Sequence, residues 1–197
     1  MKKILLLGDE ICVQYRDRVR EMLSDVCEVS YPDLTAMNAG YTLGTLWFVR
    51  DHASSGFDLI YLATGLADHQ RVTSDGEPLV SPGEYLHLNG RLIRQLRSYT
   101  PKIIWATTLP AGEGYVRDPA GFYSIPREEW NREIALYNAL ASAFLHEEDV
   151  PVNDLHALVA PHPEYLASDG IHLSEAGIEA AARQTANCIR VAFDSRA

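Results

Sequence analysis

The sequence predicts an α/β protein, a three-layer α/β/α sandwich around a mostly parallel sheet of about five strands. Three observations predict it. Residues 4–7 (Ile-Leu-Leu-Leu) form an uninterrupted apolar run, as in a strand buried on both faces. Short apolar runs then alternate along the chain with longer stretches of helical period, which implies parallel strands joined by crossover helices. The length, 197 residues, suits one sizeable core, so residues 1–197 are read as a single domain, with no internal repeat, linker or low-complexity tract.

The elements follow in order. After the strand at 4–7 comes a helix at about 13–23, with Val19, Met22 and Leu23 on one face and charges opposite. Residues 27–31 give a second short strand. Leu43, Leu46, Trp47 and Val49 give residues 41–52 the spacing of one helix. Residues 57–62 form the third strand, 82–97 a helix of alternating apolar and basic residues, and 102–107 the fourth strand. A long helix at 126–146 buries Trp130, Ile134, Tyr137, Leu140 and Phe144. A brief last strand at 150–152 precedes a final helix from Ser174 to about 193, opened by Ser174-Glu175-Ala176-Gly177 in the manner of a capped start. Residues 70–81 and 111–125, rich in Gly, Pro and polar residues, are the two long loops, and such loops in a compact domain often carry binding residues.

Composition narrows the function classes. With 47% apolar and 22% charged residues the chain is an ordinary globular protein. Its formal net charge of -10 argues against a nucleic-acid surface, which needs clustered Lys and Arg, and serves solubility instead. Cys12, Cys27 and Cys188 are odd in number and lack metal-like spacing, so they read as reduced, mostly buried thiols. The apolar run after Met1 is too short for a signal sequence and meets Gly8-Asp9-Glu10 at once. No segment is long enough to span a membrane. The expected location is the cytoplasm and the expected partner a small molecule. No nucleic acid, membrane, cofactor or metal is expected, and the oligomeric state is open. Gly8 belongs to no phosphate-binding fingerprint, because the following Gly-X-Gly spacing is missing.

Three short segments sit where strands end or helices begin. Gly8-Asp9-Glu10 closes the first strand, Gly65-Leu66-Ala67-Asp68 follows the third, and Asp169-Gly170-Ile171-His172 precedes the last helix. In a parallel sheet, ligands bind outside the carboxyl ends of the strands, so the first two share a rim. The spacing of Asp169 and His172 lets a carboxylate fix an imidazole's tautomer and stabilise its cation, the orienter-and-base half of a triad. A helix-entry Asp capping backbone amides beside a surface His explains the same residues equally well.

With these residues in view, the sequence resembles the SGNH (GDSL-type) hydrolases. Ile-Leu-Leu-Leu-Gly-Asp-Glu at the first strand and Asp-Gly-Ile-His-Leu-Ser-Glu-Ala-Gly at 169–177 look like the first and last blocks of that family, and they bracket almost the whole chain. Thr107-Thr108-Leu109-Pro110, Tyr137-Asn138 and Val152-Asn153-Asp154-Leu155 agree with it. The resemblance implies an active site in which Asp169 and His172 activate a nucleophile. Its oxyanion region would involve Asp9, Asn38, Gly40, Gly65, Ala67 and Asp68, with Gly40 or Asn38 as the second-block donor.

Two positions depart from the family pattern. Glu10 stands where the nucleophilic serine belongs, and Ala67 where the third block has an asparagine. A carboxylate is a poor acyl nucleophile, since its attack on an ester gives an anhydride, and losing an oxyanion donor costs about 3–4 kcal/mol of transition-state stabilisation. Ser54 and Ser55, before the third strand, and Ser168 and Ser174, around the last block, offer no replacement. Ordinary serine-esterase chemistry is therefore not expected. The favoured expectation is a divergent enzyme acting on a small polar, ester- or sugar-like substrate. In it Glu10, His172 and Asp169 form an altered acid/base triad, with Glu10 as general acid or base or as nucleophile on a saturated carbon. The alternatives are a catalytically silent binding protein and a serine esterase whose nucleophile was deliberately substituted. Weaker candidates are His69, expected as a solvated loop residue, the rim tyrosines Tyr41, Tyr115 and Tyr123, and a metal set of His156, His162 and Asp169 with no standard spacing.

Overall fold

Alternation along each strand decides which layer a residue joins. In the computed structural model, which describes residues 1–32, 38–52, 56–71, 75–100 and 102–194, five strands form one sheet. They are β1 (Lys2–Gly8), β2 (Cys27–Ser30), β3 (Leu59–Ala63), β4 (Ile103–Ala106) and β5 (Val152–Asn153). Their order is β2-β1-β3-β4-β5 and every pair is parallel. The eight helices are α1 (Glu10–Met22), α2 (Ala39–Gly44), α3 (Leu46–His52), α4 (Leu66–His69), α5 (Pro82–Leu96), α6 (Arg127–Glu147), α7 (Leu155–Val159) and α8 (Glu175–Asp194), counted among the described residues.

Ile4, Leu6, Tyr61, Ala63 and Ile104 cluster with the buried faces of α1, α7 and α8. Their neighbours Leu5, Leu7, Ile60, Leu62 and Trp105 cluster with α2, α3, α5 and α6. The sheet is thus covered on both faces, which is why its strands read as continuous apolar runs and not as alternating ones. The three-layer sandwich agrees with the sequence-based expectation. So does α5, whose Ser81 and Glu84 form a reciprocal capping box with Pro82 in the first turn.

Chain order reverses direction in the sheet at β1, between β2 on one side and β3 on the other. Register brings Gly8 opposite Ala63, so the segments leaving β1 and β3 emerge side by side. That is the crevice where parallel sheets bind ligands. The exit of β4 is fixed from α6, where Asn138 makes a two-way pair with the Thr108 backbone at 2.9 Å in each direction.

Some boundaries differ from the sequence expectation. The single helix expected at 41–52 is two, broken after Gly44. There Thr45 caps α2, and its hydroxyl donates to the Thr42 carbonyl at 3.0 Å, competing with the helical ladder. The last strand lies at Val152–Asn153 instead of 150–152. The final helix begins at Glu175, with the Ser174 hydroxyl accepting from the Gly177 N–H at 3.2 Å. Neither α4 nor α7 was expected. Ser54, Ser55 and residues 72–74 of the 70–81 loop lie outside the described residues. Among the described residues no helix is long and apolar enough to cross a membrane.

Candidate active site

The turn from β1 into α1 is built by Gly8 and Asp9. A side chain at Gly8 would lie 2.1 Å from the Cys12 Cβ, so only glycine lets α1 leave the strand this closely. Asp9 is the N-cap, and its Oδ1 accepts from the Ile11 and Cys12 amides at 3.1 and 3.3 Å. Its Oδ2 accepts from the Leu66 amide at 3.4 Å, tying α1 to α4. Glu10, the first residue of α1, points into solvent, and neither its carboxylate nor its N–H has a hydrogen-bond partner among the described residues.

A second buried carboxylate lies close enough to feel the charge of Asp9. Asp68 of α4 is fully buried, and both its oxygens accept from the Ala39 amide, at 3.0 and 3.3 Å. It thereby holds the first turn of α2, where Asn38 caps through Tyr41 N–H and Gly40 keeps an N–H without an acceptor among the described residues. Burial pushes Asp9 up to about 7 despite the lowering effect of the Cys12 and Leu66 amides. Burial likewise pushes Asp68 up to about 7, opposed by the Ala39 N–H and reinforced by the charge of Asp9. Gly65 is buried as well. Asp9, Gly65 and Asp68 therefore lie beneath the rim as ties between α1, α2 and α4, whereas Glu10, Gly40 and the half-buried Ala67 are nearer its surface.

The segment before α8 is self-organised. Asp169 Oδ1 accepts from the Ile171 and His172 amides at 2.9 and 3.0 Å, and its Oδ2 lies 2.7 Å from His172 Nδ1. Because a carboxylate only accepts, Nδ1 carries the hydrogen of this contact, so in the neutral ring Nε2 is the lone-pair nitrogen. Burial raises the Asp169 pKa, but the two amides and His172 outweigh it and bring the carboxyl down to about 2. The turn passes through Gly170 at φ +68, where a Cβ would stand 2.3 Å from the Tyr115 amide. Of the two expectations for this pair, the geometry contains both: the carboxylate caps amides with one oxygen and orients the imidazole with the other.

Gln14 brings the two segments together. Its Oε1 accepts from the Leu173 amide at 2.9 Å, and it lies one helical turn beyond Glu10 on the same face of α1. Glu10 thus stands beside the His172 segment, although the two side chains share no hydrogen bond or ion pair. The phenol of Tyr123 senses the charges of Glu10, Asp169 and Asp9 together. Gln14 was missed by sequence reasoning. The i, i+4 relation to Glu10 was the only signal for it.

Weaker candidates resolve differently. His69 is not solvated. It is fully buried among Tyr85, Trp130 and Tyr137, and its Nδ1 bonds the Gly65 carbonyl. Burial, aided by Arg71, pulls it down to about 4. Tyr115 is a core residue, Tyr41 is exposed on α2, and Tyr123 is half-buried. His156, His162 and Asp169 form no metal-binding group, and no group of three such ligands occurs among the described residues. A cavity of about 970 Å³ lies elsewhere, between α8 and the β4–β5 side of the sheet, lined by Ile104, Val152, Cys188 and Val191 among others.

No family model matches the chain, and no curated relative matches it. Solved structures do. A lipase/acylhydrolase from Enterococcus faecalis superposes with a TM-score of 0.74 at 20% identity, over 97% of this chain and 96% of that one. A GDSL-like lipase from Bacteroides thetaiotaomicron gives 0.72 at 16% identity, over 97% and 89%. An acetylxylan esterase from Geobacillus stearothermophilus gives 0.72 at 20% identity, over 94% and 93%. The fold of this chain is that of the SGNH (GDSL-like) hydrolases, as the sequence motifs imply.

Proposed function

We propose that the chain hydrolyses esters of small polar molecules, sugar acetates foremost, and that a water molecule takes the place of the serine nucleophile. The observation that carries this reading is the Asp169–His172 pair at 2.7 Å, next to Leu173, which Gln14 ties to the Glu10 turn of α1; neither Nε2 nor the Glu10 carboxylate has a partner among the described residues. The ester class follows from what the structural neighbours are described as, namely acylhydrolase, lipase and acetylxylan esterase.

The chemistry follows from the groups present. Asp169 holds the Nδ1–H, so Nε2 is the base. A water placed between Glu10 and His172 gives one hydrogen bond to the carboxylate and its other proton to Nε2. Its oxygen bonds to the ester carbonyl carbon. The carbonyl oxygen becomes an oxyanion, for which the N–H groups of Glu10 and Gly40, without acceptors among the described residues, are donors. When the tetrahedral species collapses, the bond to the leaving alkoxide breaks and imidazolium returns the proton to it. The products are a carboxylic acid and an alcohol. In this scheme no anhydride forms, which removes the objection to glutamate at this position.

A second reading is a binding protein that keeps the cleft without turnover. The absence of a Glu10–His172 hydrogen bond and of a donor at Ala67 favours it. The readings separate in one assay, acetate release from an acetylated xylose. Hydrolysis predicts that Glu10→Gln and His172→Asn each lower kcat about 100-fold with an unchanged circular dichroism spectrum. Activity of Glu10→Gln within about three-fold of the parent removes Glu10 from the mechanism. No release by the parent protein establishes the silent reading.

A further inference from the structure

We propose that the Tyr123 hydroxyl supplies the substrate hydrogen bond that Ala67 cannot, standing in for the asparagine amide of the family pattern. The inference rests on the ester-hydrolysis reading and adds a third donor to it.

Tyr123 is placed with unusual completeness for a loop residue. The carbonyls of residues 122–125 each accept a hydrogen bond, one from Arg71 beyond α4 and three from within the loop itself. Phe122 O accepts from the Arg71 amide at 3.1 Å, and Tyr123 O from the Asp118 amide at 2.9 Å. Ser124 O accepts from Arg117 Nε at 2.7 Å, and Ile125 O from the Tyr115 hydroxyl at 2.9 Å. The ring stands edge-on to Trp130, centroids 5.3 Å apart, and to Tyr115 at 5.8 Å. A hydroxyl held this way is preorganised, which is what transition-state stabilisation requires.

Its direction is set by Gln70. The Gln70 Nε2 donates to the Tyr123 oxygen at 3.4 Å, so the phenolic hydrogen remains available. Gln70 follows Ala67 by one turn at the end of α4, so the hydroxyl lies over the side of α4 that carries Ala67. A methyl at 67 leaves the space that an asparagine side chain would occupy. Burial, and then the charges of Glu10, Asp169 and Asp9, raise the phenol above its ordinary pKa against the lowering effect of Gln70, which keeps it a donor.

The test uses the full chain. Tyr123→Phe keeps the ring packing and removes only the oxygen. Expected is a fall in kcat of about 100-fold with KM within about three-fold. Adding Ala67→Asn to that variant should restore about ten-fold, since the amide returns a donor to the same place. If Tyr123→Phe stays within about three-fold while Glu10→Gln is inactive, this inference falls and the hydrolysis reading stands. Tyrosine-ring ¹³Cζ NMR gives a readout independent of turnover, with Tyr123→Phe assigning the resonance. Its titration should move to lower pH in Glu10→Gln, and an unmoved titration overturns the placement of the hydroxyl beside Glu10.

Discussion

In the proposed scheme the carboxylate at position 10 changes which atom can attack, while His172 Nδ1 lies 2.7 Å from Asp169 Oδ2. Serine needs a base to remove its proton. Glutamate has none to give, and its useful property is to accept a hydrogen bond from water. The buried carboxylates below it make a separate claim about pH. An unfolded aspartate releases its proton near 3.8, whereas Asp68 in the fold holds it up to about 7. The folded state therefore binds the extra proton between those values. Stability tied to it is full below 3.8 and is lost as pH rises through about 7. Asp9 follows the same direction, and Tyr85 and Tyr137 face the pair as neutral phenols. His69, held down to about 4, runs the opposite way, its contribution lost as pH falls from 6.5 through 4. Asp68→Asn can keep the shorter bond to the Ala39 amide while removing one titration. The melting temperature of the parent relative to this variant should fall between about pH 5 and about pH 8. A gap independent of pH contradicts the assignment.

Among the elements, α4 carries most of the difference between expectation and structure. It has 4 residues, too few for a helical period to show in a sequence. Yet it supplies the Leu66 amide for Asp9, the Asp68 carboxylate for α2, and Ala67 at the rim. Its entry depends on Gly65, at φ +146, where a Cβ would lie 2.0 Å from the Thr108 hydroxyl. Gly65→Ala should therefore cost about 2–3 kcal/mol through backbone strain and overpacking, measured by urea unfolding. A loss under about 0.5 kcal/mol would show that the β3–α4 turn tolerates a side chain. The loop at 111–125 raises a related difficulty. Its Gly, Pro and polar residues mark it as a loop, but the residues that anchor Tyr123 follow no helical or strand period: Asp118, Arg117 and Tyr115 bond within the loop, and Arg71 bonds across from the end of α4.

For the whole molecule, the sheet was legible because both its faces are covered. Ile4 to Leu7 read as one apolar run, whereas the register of Gly8 with Ala63 is seen only in the structure, because a strand apolar on both faces carries no alternation to fix it. The frame of the candidate site was legible where its residues are contiguous, as in Gly8-Asp9-Glu10 and Asp169-Gly170-Ile171-His172. It was not legible where it is assembled across elements, as with Gln14 on Leu173 or Asp68 on Ala39. His69 went astray for a similar reason, since its burial comes from aromatic rings on α5 and α6.

In the proposed hydrolysis water, and not Glu10, attacks the ester. A single turnover of an acetylated xylose in water enriched in ¹⁸O, with and without hydroxylamine, followed by mass spectrometry of both the acetate and the peptide containing Glu10, separates the two routes. Direct attack by water puts one heavy oxygen in the released acetate, none in Glu10, and leaves no hydroxamate at Glu10 when hydroxylamine is present. An anhydride opened at its acetyl carbon labels the acetate equally but is captured by hydroxylamine at Glu10. Heavy oxygen or a hydroxamate at Glu10, or no acetate released at all, would overturn direct attack by water.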